Sequence, residues 1–217
     1  MQRKISRLRA FSMIELIFAV IILGMLSAIA IASYPKEDTL QLAIDNLITN
    51  IRFTQHLALM DDKYIAGEHP PAGNYWQRYR WRLRFSDYST NPAYTNGWIY
   101  SIFADRSGTG NNTISLDEFA INPLTKQYMS GGFNSSLKPT DPRATPSMAL
   151  INSGVTKLTF NGCTQTIAFD EYGRPYNQTN DKDPTLLRQT CKITMIHKSG
   201  ESMSVCILPV TGYASEC

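Results

Sequence analysis

The sequence predicts an α+β protein: a long N-terminal helix, transmembrane in its first half and amphipathic in its second, packed on an all-β, sandwich-like globular domain. Three observations carry this reading. Residues 11–32 hold one ionisable side chain, Glu15, and the 17 residues from Leu16 to Ala32 hold none. Residues 40–58 repeat apolar side chains at helical spacing. From Tyr75 onward the pattern changes to alternation with period two.

The charge distribution separates the N-terminus from the rest. The first ten residues contribute Arg3, Lys4, Arg7 and Arg9 and no acid, which leaves 17 cations against 18 anions in residues 11–217. The overall charge of +3 therefore reports a basic leader and implies no nucleic-acid partner. As a helix, residues 11–32 would rise about 33 Å, the thickness of a hydrocarbon core. The basic residues before it would stay cytoplasmic, leaving everything after Ser33 outside. Two other readings of the segment are a removable secretory signal and a plain single-span anchor. Ala28-Ile29-Ala30 and Ala30-Ile31-Ala32 both have the A-x-A form of a signal cleavage site. Against the signal, the apolar run is longer than such signals carry, and Glu15 sits inside it. A carboxylate there costs about 2.5–3.5 kcal/mol at mid-membrane and points to a partner group.

After Pro35, Leu40, Ile44, Leu47, Ile51 and Ala58 fall on one helical face, so the helix resumes and runs to about Asp62. Its apolar face needs a cover, and the sheet supplies one. Tyr79, Trp81, Leu83 and Phe85 point one way along a strand, with Arg78, Arg80, Arg82 and Arg84 on the other, wet face. Gly97–Ala104 is a second β-rich run, and further strands are expected at Val155–Phe160, Gln165–Phe169, Cys191–His197 and Ser202–Leu208. Lys198-Ser199-Gly200-Glu201 joins the last two as a hairpin turn. Residues 130–148, rich in Gly, Ser and Pro, read as a long loop. There is no internal repeat.

Ala10 followed by Phe11-Ser12-Met13-Ile14-Glu15-Leu16, then the uncharged run, resembles the N-terminal signature of type IV prepilins and type II secretion pseudopilins. The resemblance covers about 25 residues. It implies cleavage between Ala10 and Phe11 by a prepilin peptidase, N-methylation of Phe11, and retention of the apolar helix in the mature chain. Ala10 departs from the family's usual glycine before the cut. Glu15 matches the family's fifth-residue glutamate, implied to pair with the amino terminus of a neighbouring subunit. Ile167-Ala168-Phe169-Asp170-Glu171-Tyr172-Gly173-Arg174-Pro175 resembles the strand–turn segment of the H-type minor pseudopilins. Together these imply four segments: a leader at 1–10, a transmembrane assembly helix at 11–34, an amphipathic helix at 35–62 and a β-rich globular part at 63–217. The implied protein is a minor pseudopilin or pilin, single-pass in the inner membrane with its β domain in the periplasm. It would be a structural subunit of a secretion or type IV pilus filament. Its implied partners are other pilins or pseudopilins and, indirectly, an assembly ATPase and membrane platform.

Cys163, Cys191, Cys206 and Cys217 all lie in the last quarter of the chain, and an even count in an exported protein favours two disulfides among three connectivities. Cys163–Cys191 with Cys206–Cys217 is the favoured set, the latter resembling the C-terminal disulfide loop of many pilins.

Catalytic signatures are missing. His56, His69 and His197 stand far apart, and there is no H-E-x-x-H, no G-x-S-x-G and no phosphate-binding loop. The chain is expected not to be an enzyme, to require no cofactor and to leave assembly energy to a separate ATPase. Asp105, Ser107 and Thr109 with Gly110 resemble the first half of a calcium loop, and Glu118 the bidentate ligand of the second. Three intervening residues, Asn111, Asn112 and Thr113, make the loop too long for the standard spacing, so a polar turn without an ion stays open beside calcium. The arginine stripe with Trp76 and Tyr79 raises DNA as a further partner, against a solvated strand face or a subunit contact.

Overall fold

The computed structural model describes residues 13–32, 39–62, 79–88, 97–106, 114–132, 137–177 and 185–217. Among the described residues there are two α-helices, α1 (Met13–Ala32) and α2 (Thr39–Met60). Nine strands follow: β1 (Trp81–Asp87), β2 (Trp98–Ala104), β3 (Val155–Asn161), β4 (Thr166–Phe169), β5 (Pro175–Asn177), β6 (Thr185–Leu186), β7 (Cys191–His197), β8 (Ser202–Ile207) and β9 (Ala214–Glu216). The chain divides into two units, Met1–Glu37 and Asp38–Cys217, so α2 belongs with the strands.

The long membrane-crossing helix expected from the sequence is corrected here. Helix appears as two separate elements, and among the described residues no helix is long and apolar enough to cross a membrane. Instead of one rod, α1 has 20 residues and α2 has 22, the second is amphipathic with one buried face, and the two belong to separate units. The transmembrane and single-pass inner-membrane placement falls with it.

In the second unit the strands form two sheets with every pairing antiparallel, one of five strands in the order β2-β1-β4-β5-β6 and one of four in the order β3-β7-β8-β9. Helix α2 packs on β1 and β4 of the first sheet and on β8 and β9 of the second. Its buried face is Leu40, Ala43, Ile44, Leu47, Ile51, Thr54 and Ala58, a row at spacings of three and four. These residues share one apolar core with Leu83, Phe85, Tyr100 and Ile167 of the first sheet and Ile193, Val205 and Ile207 of the second.

Alternation fixes the faces of the first sheet. Leu83 lies opposite Ile102 and Phe85 opposite Tyr100, all facing the shared core. On the other face Arg82 lies opposite Phe103 and Arg84 opposite Ser101. Every residue of β2 is buried, so this second face is covered as well. Its cover is residues 114–132 and 137–149, which bridge to β2 at Phe103–Phe119, Ser101–Ser130 and Ile99–Ala149. A satellite core of Phe103, Ile114, Phe119, Leu137 and Ala144 holds the cover down. What reads as loop at 130–148 therefore contributes buried Leu137, Ala144 and Met148, apolar anchors among its Gly, Ser and Pro.

Tyr100 shows how tightly α2 and β2 meet. Its side chain is fully buried, and its hydroxyl oxygen accepts a hydrogen bond from Asn50 Nδ2 at 2.8 Å. Burial pushes the Tyr100 hydroxyl well above the ordinary tyrosine range, against a smaller opposing effect of Asn50. A raised value in the folded state means that the associated stability is complete below the ordinary value of 10.0 and is lost as pH climbs towards the folded one. Tyr100→Phe is expected to cost about 1–2 kcal/mol at neutral pH, because Asn50 loses its acceptor. The same variant should lose less stability than the parent between neutral pH and strong alkali, as read from denaturant midpoints across that range.

Candidate assembly surface and turn motif

Residues Met13 to Met25 of α1 are all exposed, from Met13 at 85% to Ile21 at 46%. Successive helical residues point about 100° apart, so the consecutive run from Leu16 to Leu23 presents apolar side chains in every direction. A helix apolar on all sides has no face suited to water and needs a cover on all sides. Glu15 lies in its first turn, where the helix dipole favours a carboxylate. The expected cleavage residues Ala10 and Phe11 lie outside the described residues.

The FDEYGR segment resolves into a closed turn between β4 and β5. Asp170 is buried, and its Oδ1 accepts from the main-chain N–H groups of Tyr172 at 3.0 Å and Arg174 at 2.8 Å. Its Oδ2 accepts from Arg174 Nε at 2.7 Å, and that hydrogen bond raises the Arg174 guanidinium further above its already high value. Gly173 takes φ +76°, a left-handed conformation that a side chain would resist. Its carbonyl accepts from Gln55 Nε2 of α2 at 2.7 Å, and the same nitrogen reaches Thr211 O at 2.8 Å. One amide thus clips two turns, 170–174 and 208–213, to the helix. Gln55 carries no sequence signal for this role, since its partners stand 118 and 156 residues away.

The cysteines pair as Cys163–Cys191 and Cys206–Cys217, and no cysteine is free. The first bond links the end of β3 to the start of β7, and the second ties the last residue to β8.

Of the residues considered for calcium, Ser107 and Thr109 lie outside the described set. Asp105 and Glu118 are both buried. Glu118 spends its two oxygens on main-chain donors: Oε1 accepts from Arg106 N at 2.8 Å and Oε2 from Ser115 N at 2.7 Å. Among the described residues no three His, Cys, Asp or Glu side chains gather as a metal would need.

The arginine stripe is not a wet face. Arg78 lies outside the described residues, whereas Arg80 and Arg82 are both 6% exposed. The Arg80 guanidinium sits 4.2 Å from the Tyr176 ring centre and that of Arg82 sits 5.2 Å from Phe103. Burial lowers the pKa of Arg84 below its ordinary value. Arg80 lies beside Ala58, Asp61, Phe169 and Glu171 with its guanidinium on Tyr176, and Arg82 turns to Phe103 of β2, contacts that alternation within one strand could not foretell.

A small cleft with about 10 Å³ of free volume lies among Ala58, Asp61, Arg80, Trp81, Phe169 and Glu171, with Asp61 Oδ2 accepting from Trp81 Nε1 at 2.9 Å. It falls short of the roughly 300–1,000 Å³ of small-molecule sites. Comparison with protein-family models, with curated proteins and with solved structures finds no match for the chain.

Asp170→Ala is expected to lower stability by about 2–3 kcal/mol, since it strands two main-chain donors and a partly exposed guanidinium. Asp170→Asn, which keeps the Oδ1 acceptor, should cost less. Urea midpoints at neutral pH order the three proteins.

Proposed function

We propose that the chain is a minor-pilin-like structural subunit, joining a filament through α1 packed against the apolar helices of neighbouring subunits. The observation that carries this reading is the exposure of apolar side chains all around α1 from Met13 to Met25. Fully burying a large aliphatic side chain contributes about 1.5–3 kcal/mol, so a bundle of such helices gathers strength residue by residue. The resemblance of residues 10–16 to the prepilin signature supports the same reading. It adds cleavage between Ala10 and Phe11 by a prepilin peptidase and methylation of Phe11. The two disulfides fit a chain that matures in an oxidising compartment.

Within such a bundle Glu15 would be a carboxylate surrounded by hydrocarbon, acceptable only beside a cation. Cleavage before Phe11 creates one, a new amino group four residues before Glu15 in each chain. Pairing between the carboxylate of one subunit and the amino terminus of the next would set the axial register of the helices. The DNA-binding alternative loses support, because Arg80 and Arg82 are buried.

Glu15→Val should leave the second unit folded, with an unchanged melting temperature, and leave cleavage intact. It should reduce co-sedimentation of the subunit with assembled filaments by at least about tenfold, the equivalent of about 1.4 kcal/mol. Normal incorporation would show that the carboxylate has no part in assembly. Mass spectrometry of the mature chain bears on the reading as a whole. A start at methylated Phe11 supports it, and a start near Ser33, without α1, sinks it.

A further inference from the structure

We propose that the Cys206–Cys217 disulfide is a redox latch on β9, and that its reduction lets two copies of the chain exchange their terminal strands. The strand β9 has three residues and lies at the edge of its sheet, paired with β8 alone through Val205–Glu216, Cys206–Ser215 and Ile207–Ala214. It is further tied by Cys217 N to Ser204 O at 3.1 Å and by Arg52 Nη2 to Ala214 O at 2.8 Å. So short a strand is weakly held without its covalent bond.

The turn that returns the chain to β9 is strained. Val210 adopts φ +66°, a left-handed conformation that a β-branched residue rarely takes. Gly212 also has φ +66°, and a side chain there would meet Gly173 O at 2.6 Å. Short strained hinges favour strand exchange, because opening the hinge releases the strain while the exchanged strand restores the same contacts.

Access to a reductant differs between the two disulfides. Cys217 is exposed and Cys206 half-buried, whereas Cys191 of the other bond is fully buried. A thiol reductant such as dithiothreitol attacks the exposed bond first. One of its sulfurs forms a mixed disulfide, and its second thiol closes the ring of oxidised dithiothreitol. Two electrons and two protons thereby pass to Cys206 and Cys217, which become thiols. β9 is then free to leave, uncovering the main-chain groups of β8 and the buried side chains of Val205 and Ile207. An uncovered edge recruits a strand, and β9 of a second copy makes the same pairs.

The experiment uses the full chain, as an equal mixture of ¹⁴N- and ¹⁵N-labelled protein. It is treated with mild dithiothreitol at high concentration, then reoxidised with glutathione disulfide. The expected product is a covalent dimer on a non-reducing gel, with mixed-label Cys206–Cys217 peptides in the mass spectrum. Hydrogen exchange in the reduced stage should show lost protection at Ala214–Glu216 while β3 and β7 stay protected. In a Val210→Gly chain, whose hinge is relaxed, the dimer yield should fall several-fold. Association through α1 is common to both proteins and does not create a mixed-label Cys206–Cys217 bond, so this test stands apart from the filament reading. Reoxidation to monomer alone, retained protection of Ala214–Glu216 after reduction, or equal yields from the two chains each overturns the proposal.

Discussion

The second unit depends on one shared surface, the buried row of α2. Leu40, Ile44, Leu47 and Ile51 are each at most 2% exposed and serve both sheets at once. At about 1.5–3 kcal/mol each, these four side chains contribute roughly 6–12 kcal/mol, comparable to the net stability of a whole domain. Neither sheet therefore stands as an independent layer, since each completes its core on the same helix. The polar edge of α2 then fixes what the apolar row has brought near. Asn50 reaches Tyr100, Arg52 reaches Ala214 O, and Gln55 gathers the turns at Gly173 and Thr211. These contacts tie loops distant in sequence to a rigid element, so the loops inherit its order.

Covering the first sheet on its second face has an electrostatic consequence. A strand with four alternating arginines would ordinarily mark the solvent side. Here Arg80 and Arg82 are buried, and their charges rest on the rings of Tyr176 and Phe103. Arginine tolerates this better than lysine would, because its planar, weakly hydrated guanidinium stacks on rings. Burial on both faces explains why β2 carries no charged residue, its Ser101 sharing a hydrogen bond with Ser130. A strand buried on both faces has no need to alternate.

What was legible in the sequence was local. The face of α2 followed from residues three and four apart, the β7–β8 hairpin from the Lys198–Glu201 turn, and the inner face of β1 from Leu83 and Phe85. What was not legible depended on distant partners. Nothing near Arg82 announces that Phe119 and Leu137 roof the face it occupies, and nothing near Gln55 announces Gly173. The expectation of one continuous helix erred for a different reason. Two adjacent segments with helical signals were joined, although the first is apolar on all sides and the second is amphipathic, and they belong to separate units. Of the candidate site residues, Glu15 stood out because a charge in an uncharged run is a local anomaly. Val210 escaped notice because backbone strain has no residue-type signature when the strained residue is a valine.

The two units differ in how completely their chemistry is satisfied. In the second, the apolar side chains of α2 and of both sheets meet one another, and the buried carboxylates Asp170 and Glu118 each hold main-chain donors. In the first, α1 leaves Ile14, Leu16, Ile17 and Phe18 more than half exposed on successive sides. A helix with one apolar stripe could dock on a single surface and be done. One apolar in all directions needs neighbours all around, which a single partner face cannot supply but a bundle of like helices can. In the bundle proposed above, the carboxylate of Glu15 would limit the arrangement. Apolar surfaces can slide past one another at small cost, whereas a buried charge without its partner costs several kcal/mol, so Glu15 would select the register that the hydrocarbon leaves undetermined.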